Sequence, residues 1–344
     1  MGGRVTTGTA ESGKPESANP ETAKHESAMT ETAKPESAKP VMSKKGRAMA
    51  FVFAFLASAI WGITFVTQKL AGVSMGSFTY NAARFALGVV SLVPVFLVFE
   101  KSSREKSMRA LKAGLIGGAI LFIASNLQQF GIILNKDPGS ASQAGFITGL
   151  YLVFTPVLGL ALGRKAGAFT WISCVVAFVG LTLMTISPGN IGSVKLSDGL
   201  LVVGAIFWSG HILFIGHISR SVEPMRFTAV QFAVCSVLSA ACAFAFEAPT
   251  MSGILGGIYP LLFGGVFACG TAYTFQILGQ RGVEPSKAAI IFALESLFAA
   301  ISEAIWLREL MTVRQYVGGA VIFTGILLSQ ISPKKRGRAP GGPG

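Results

Sequence analysis

Apolar residues gather along this chain in ten runs, at about 48–70, 78–99, 109–134, 139–163, 168–187, 198–218, 226–246, 254–280, 286–307 and 312–331. Each is close to the roughly 20 residues a helix needs to cross a hydrocarbon core. Helix breakers separate several of them: Asp137-Pro138-Gly139, Ser187-Pro188-Gly189-Asn190, Glu223-Pro224, Glu247-Ala248-Pro249 and Glu284-Pro285. Sliding the chain over itself by 147 residues superimposes the first five runs on the last five. Trp61 falls on Trp208, Ala82 on Ala229, Phe85 on Phe232, Gln129 on Gln276, Pro138 on Pro285 and Leu150 on Leu297. A repeat with an odd number of crossings inverts its second copy, which is the architecture of alternating-access carriers.

Composition supports lipid as the main solvent. The chain is 51% hydrophobic and 13% charged, against roughly 25% charged in soluble domains. The formal charge of +13 raises the question of nucleic acid. The basic residues punctuate apolar runs and form no aromatic-interleaved patch, so no nucleic-acid partner is expected. Their placement instead sets a topology. With the N-terminus in the cytoplasm, 18 Lys and Arg residues fall on the inner side. Only Lys69, Lys136, Lys195, Arg308 and Arg314 fall outside. That bias predicts both termini inside.

Four segments follow. Residues 1–47 form an N-terminal arm containing six pentapeptides, from ESGKP to ESAKP. They offer too little apolar surface to offset ordering entropy, so disorder is expected. Residues 48–187 and 198–332 hold the two five-helix repeats, and 333–344 form a basic, disordered tail. No cleavable signal peptide is expected, since the first apolar run begins near Ala48. Cys174, Cys235, Cys242 and Cys269 lie inside apolar runs with no CxxC spacing, which predicts packing residues rather than a disulfide or metal site.

Polar groups inside the runs need explanation, because an ionised side chain there costs about 2.5–3.5 kcal/mol even on insertion scales. Glu295, near the middle of the ninth run, must be protonated, paired or facing water; it is either a site for charge or protons or a packing hydrogen bond. Its repeat counterpart is Thr148, on one helix face with Tyr151. Asn126 and Gln129 share a face of the third run, and their counterparts Tyr273 and Gln276 share the matching face of the eighth. These matched positions predict a central polar chamber, with interhelical bonding as the alternative. Trp61 and Trp208 sit mid-helix, either as a stacking wall for an apolar or aromatic solute or as bundle packing. His211, one turn on, either titrates near neutral pH or packs in a satisfied state. Glu303 is expected to snorkel or pair near the outer interface, and Arg84, in the outer half of the second run, to snorkel or bond a carbonyl, with attraction of an anionic group as the alternative. GxSxG, Walker, HExxH and Rossmann patterns do not occur, which argues against an enzyme, direct ATP drive or a bound cofactor.

The segment EPSKAAIIFALESLFAAISEAIWLRELMTVRQYVGGAVIFTGILLSQIS, from Glu284 to Ser332, resembles the second repeat of the EamA branch of the drug/metabolite transporter superfamily. Leu294-Glu295-Ser296, Leu307-Arg308-Glu309, Thr312, Gln315, Gly318 or Gly319, and Gly325 match its pattern, with AIWGITFV and AARF typical of the opening helices. Ser296 stands where the family has proline, while Pro156 holds a related place in the first repeat. Arg164 stands near the first repeat's usual glutamate. The resemblance spans about 48–332. It implies an all-α membrane protein of ten transmembrane helices in two inverted repeats, in a bacterial inner membrane. It further implies a cavity lined here by Trp61, Asn126, Gln129, Tyr151, Trp208, His211, Tyr273, Gln276 and Glu295, and transport of a small-molecule substrate such as an amino acid, outward by alternating access. Dimerisation through the fifth and tenth helices follows from the resemblance alone. The rival expectations are an exchanger of phosphorylated or nucleotide-linked sugars and a non-transporting scaffold.

Overall fold

Helices begin where the sequence supplies caps and end where it withdraws them. A computed structural model describes residues 2–3, 8, 43–101, 103–164, 166–185, 195–308 and 312–330; the side chains of Met184, Thr185, Gln315 and Gln330 are not among them. The pentapeptides, the basic tail, Lys165, Glu309 and the Ser187–Asn190 connector therefore lie outside the described residues. All the helices below belong to the unit Ser43–Gly344.

We label the principal helices α1 (Lys44–Ala71), α2 (Ser77–Phe99), α3 (Arg104–Leu134), α4 (Ser140–Ala161), α5 (Ala168–Thr185), α6 (Leu196–Ile218), α7 (Pro224–Phe246), α8 (Ile258–Gln280), α9 (Pro285–Leu307) and α10 (Val313–Gln330). α1–α4 and α6–α9 are long and apolar enough to cross a membrane, while α5 and α10 carry shorter apolar stretches, Ala168–Leu183 and Tyr316–Ser329. A short helix, Met251–Gly256, precedes α8. Ser43 and Ser103 accept hydrogen bonds from Gly46 N and Lys106 N at the starts of α1 and α3, and Pro224 and Pro285 open α7 and α9.

The packing obeys the 147-residue register. α2 lies along α7 and α5 along α10, each helix against its own counterpart. α3 rests on α6 and α7, as α8 rests on α1 and α2. α1 packs on α9 as α6 packs on α4. Such reciprocal pairing is what a twofold axis between two intertwined five-helix halves produces. The helix ends repeat it. Glu247, at the end of α7, accepts hydrogen bonds from Phe78 N and Thr79 N at the start of α2, at 2.9 and 2.8 Å. Glu100, at the end of α2, accepts from Met225 N and Arg226 N at the start of α7, at 2.8 and 3.0 Å. All three pairs of residues are 147 apart. Each carboxylate satisfies donors that a helix start leaves open, and each faces the positive end of the helix dipole.

Three helices are less regular than their sequence suggests. α4 breaks at Leu150, whose N–H turns to Ile147 O at 3.1 Å. Six residues later Pro156 has no N–H for Leu152 O; the Cys174 thiol lies 3.5 Å from that carbonyl instead. α9 breaks at Ala293–Leu294, just before Glu295. α8 runs as a π-helix over Phe263–Tyr273, a form concentrated at functional sites. The 147-residue counterpart of Ser296 is Gly149 rather than Pro156, and the Ser296 hydroxyl donates to Gly145 O at 2.8 Å across the α9–α4 contact.

Close approach of α1 and α9 depends on Gly62. A Cβ there would lie 2.2 Å from Phe298 Cβ, 2.7 Å from Glu295 O and 2.9 Å from Ala299 N. Overpacking of this kind costs about 1–3 kcal/mol. Gly62→Ala is expected to lower the apparent melting temperature of the purified protein by about 5 °C. Gly210, with open space around its Cβ position, is the control: Gly210→Ala should leave melting unchanged. Equal melting of both variants and wild type would show that the contact is not tight.

Candidate functional site: a chamber between the repeats

Where α1, α2, α3, α4, α6, α8 and α9 meet, they enclose a chamber with about 510 Å³ of space between atoms. Its open part is narrow, enough for about three waters. A solute larger than that enters only when the helices move. The wall is aromatic on one side. Tyr273, at the end of the π-helical segment, has Trp61 at 5.1 Å edge-on, Trp208 at 6.4 Å and Phe232 at 5.1 Å between ring centroids. Phe292, the last helical residue before the α9 break, packs on Trp61 at 5.5 Å. The two tryptophans thus face inward across the symmetry axis from α1 and α6. The Trp61 indole N–H donates to Ala268 O at 3.3 Å, within the π segment. The Trp208 indole nitrogen is buried without a partner.

The polar side of the chamber is built from α1, α3, α4, α8 and α9. Glu295 follows the α9 break; it is 4% exposed and one carboxylate oxygen has no hydrogen-bond partner. Tyr151 and Thr148, either side of the α4 break, each place a buried hydroxyl in the lining, that of Tyr151 beside the Glu295 carboxylate and that of Thr148 without a partner, and Gln276 presents an unpartnered carbonyl oxygen. Gln128 donates to the Gln68 side chain at 3.2 Å, leaving the Gln68 amide nitrogen unsatisfied. Buried polar atoms without partners are uncommon in folded proteins and call for a water, an ion or a ligand.

Six residues singled out from sequence line this space: Trp61, Tyr151, Trp208, Tyr273, Gln276 and Glu295. Asn126, Gln129 and His211 do not, because each is engaged elsewhere. Asn126 accepts from Asn81 at 2.8 Å and donates to Ser239 at 3.1 Å, tying α3 to α2 and α7. Gln129 donates to Gln68 O at 3.1 Å, tying α3 to α1. His211 meets the Gln231 side chain at 3.0 Å, tying α6 to α7. Glu303 does not snorkel. It is 2% exposed and accepts from Ala141 N, Ser142 N and the Ser142 hydroxyl at the start of α4, with Lys69 Nζ at 3.7 Å. Arg84 does not snorkel either. It lies 4% exposed against the chamber, its guanidinium 5.2 Å from the Tyr80 ring centre and 4.6 Å from that of Phe85. Gln68, Gln128 and Thr64 also line it. Their recurrence in α1 and α3, two apolar runs, was the signal available for them.

Charged residues sort to two ends as the crossing pattern requires. Lys69, Asp137, Lys195 and Glu303 meet at one end through the Lys69–Glu303 and Lys195–Asp137 pairs. Glu100, Arg226, Arg220 and Arg281 bound the loops at the other. Among the described residues no group of three His, Cys, Asp or Glu side chains could hold a metal ion. Cys174, Cys235 and Cys269 are buried and free.

Known proteins give this geometry a context. The EamA-like transporter family matches residues 48–186 and 195–330, one stretch per repeat. An uncharacterised transporter of Archaeoglobus fulgidus is 29% identical over 275 residues, covering 79% of this chain and 83% of that one. The uncharacterised transporter YwfM of Bacillus subtilis is 23% identical over 289 residues, covering 83% and 95%. A WAT1-related protein of Arabidopsis thaliana is 22% identical over 319 residues, covering 80% and 88%. A solved crystal structure superimposes with a TM-score of 0.67 at 14% identity, covering 82% of this chain and 96% of its own, and so shares the fold. This chain is an integral membrane protein with two inverted five-helix repeats, and it belongs to the EamA-like transporter family.

Proposed function

We propose that the protein is a secondary carrier that exports amino acids or related small metabolites by alternating access, in a bacterial inner membrane with both termini in the cytoplasm. The observation that carries this reading is the chamber on the repeat axis, where aromatic faces stand opposite unpaired donors and acceptors. An amino acid offers both kinds of surface: charged head groups for the polar side and an apolar chain for the rings. With room for only about three waters, the site admits an amino acid only when helices part, as alternating access requires. Inverted repeats supply the two open states, since exchanging the conformations of the halves reverses the open side. Eighteen basic residues against five support the orientation. A carrier for phosphate esters is disfavoured because Arg84 is the single cation in the lining.

Counterflow tests the reading. Liposomes holding purified protein and one unlabelled amino acid from a broad panel are diluted into the labelled form. At least one amino acid is expected to accumulate transiently, about tenfold above protein-free vesicles. Absence of counterflow for every amino acid and metabolite in the panel would favour the scaffold. Exchange confined to phosphorylated sugars would replace the amino acid with the phosphate ester.

A further inference from the structure

Arg84 is a permanent cation in the chamber wall, and the one carboxylate in the same lining, Glu295, makes no ion pair with it. The Arg84 guanidinium lies over the rings of Tyr80 and Phe85. None of the ion pairs among the described residues includes it, and its Nε is buried without a hydrogen-bond partner. The repeat shows how the same position is satisfied when it serves packing alone. The counterpart of Arg84 is Gln231, whose carbonyl oxygen meets the His211 ring at 3.0 Å. The counterpart of His211 is Thr64, and its hydroxyl turns back to Ile60 O at 2.8 Å. Arg84 is therefore denied the partner that the second repeat supplies, and both Thr64 and Arg84 line the chamber. The unpaired Trp208 indole nitrogen and Gln68 amide nitrogen are donors in the same lining.

We propose that Arg84 is the anion-binding residue of the chamber and that the transported solute presents a carboxylate to it. A guanidinium holds a carboxylate with two parallel charge-assisted bonds. The singly charged carboxylate matches the one cation available, whereas a phosphate dianion would leave a buried charge uncompensated. This rests on the chamber being the solute site, and it adds which end of the solute is recognised and by which residue.

Three probes test it on purified protein in nanodiscs: phenylacetate, its isosteric amide phenylacetamide, and phenethylamine, a cation on a benzyl group of the same size, with binding read by competition and by thermal shift. Wild type is expected to bind phenylacetate at least about tenfold more tightly than the amide or the amine. Arg84→Gln places in the first repeat the residue that the second already accommodates, so the fold should persist, and its acid-to-amide ratio should fall to about one. Arg84→Lys should keep part of the preference. A loss of mere packing would weaken all three probes together and leave the ratio unchanged. That result overturns the proposal, as would tighter binding of phenethylamine or no binding of phenylacetate to wild type. Counterflow on the same preparation separates the two readings. Exchange with an unchanged ratio in Arg84→Gln removes Arg84's role alone; a collapsed ratio without exchange removes the transport reading alone.

Discussion

Replacing Glu295 with glutamine is expected to reduce gradient-driven solute movement at least about tenfold and to remove its dependence on pH, while leaving counterflow within about threefold of wild type. The substitution keeps the size and shape of the side chain and one acceptor oxygen, so the chamber and the α9 break should survive. What it removes is the ability to gain and lose a proton. Glu295 is 4% exposed, has an unpartnered oxygen, and takes part in none of the ion pairs among the described residues. Its charge can be balanced by a proton, by Arg84 in the same lining, or by a cation that enters the chamber. Protonation or cation entry would tie the charge state of the site to what it carries. Exchange of solute for solute needs no net proton movement, which is why counterflow should persist. Transport and pH response both matching wild type would exclude a proton role and leave Glu295 as a packing residue. Loss of counterflow together with driven transport would assign it to solute binding instead.

The register of 147 made the architecture legible because it survives in residues that chain reversal cannot scramble: Trp61 with Trp208, Gln129 with Gln276. It also located Glu295 and Tyr273 near one axis. It could not say which way a side chain points. Asn126 and Gln129 share a helix face, yet α3 lays Asn126 against α2 and α7 and Gln129 against α1, so the one face is used for packing. Arg84 goes the other way. Gly264, 147 residues after Gly117, brings α8 so close to α2 that its Cβ position lies 2.4 Å from the Tyr80 hydroxyl and 3.7 Å from Arg84 Cδ. That approach, set by a glycine and by π-helical winding about 180 residues away, holds Arg84 inside. Hydrophobic periodicity carries no trace of it. The carboxylate caps were hidden for the same reason: Glu100 and Glu247 read as loop residues until the start of a helix from the opposite repeat is placed against each.

Removing the Glu303 side chain is expected to unseal one end of the chamber. At that end Glu303 holds the start of α4 to α9, Lys69 reaches Asp137 O at 3.2 Å, and Gln143 donates to Asp198 at 3.1 Å. The 147-residue counterparts of Glu303, Lys69, Gln143 and Asp198 are Pro156, Gly216, Ile290 and Phe51. None of these can make the same bonds. At their end lies a hollow with about 620 Å³ of space between atoms, bounded by Pro156, Arg164, Thr170, Leu213, Glu284 and Ser286 among others. The two ends are therefore held by different bonds: Glu303, Gln143 and Asp198 link elements at one, whereas at the other Arg220 and Arg281 donate to loop carbonyls and Glu100 pairs with Arg226. Glu303→Ala leaves Ala141 N and Ser142 N without their acceptor, at about 1–3 kcal/mol for each buried group. Even 1.4 kcal/mol is a factor of about ten in an opening equilibrium. Gln68 lines the chamber and is 1% exposed, so a cysteine there reports the opening. In a Gln68→Cys, Cys242→Ser background, Glu303→Ala should speed modification by a membrane-impermeant thiosulfonate at least about tenfold, for reagent added on the Lys69 side. Glu303→Gln, which retains an acceptor, should fall between. If the rate is the same in all three backgrounds, the carboxylate caps a helix without closing a gate. Faster labelling from the opposite side would place the seal at the other end.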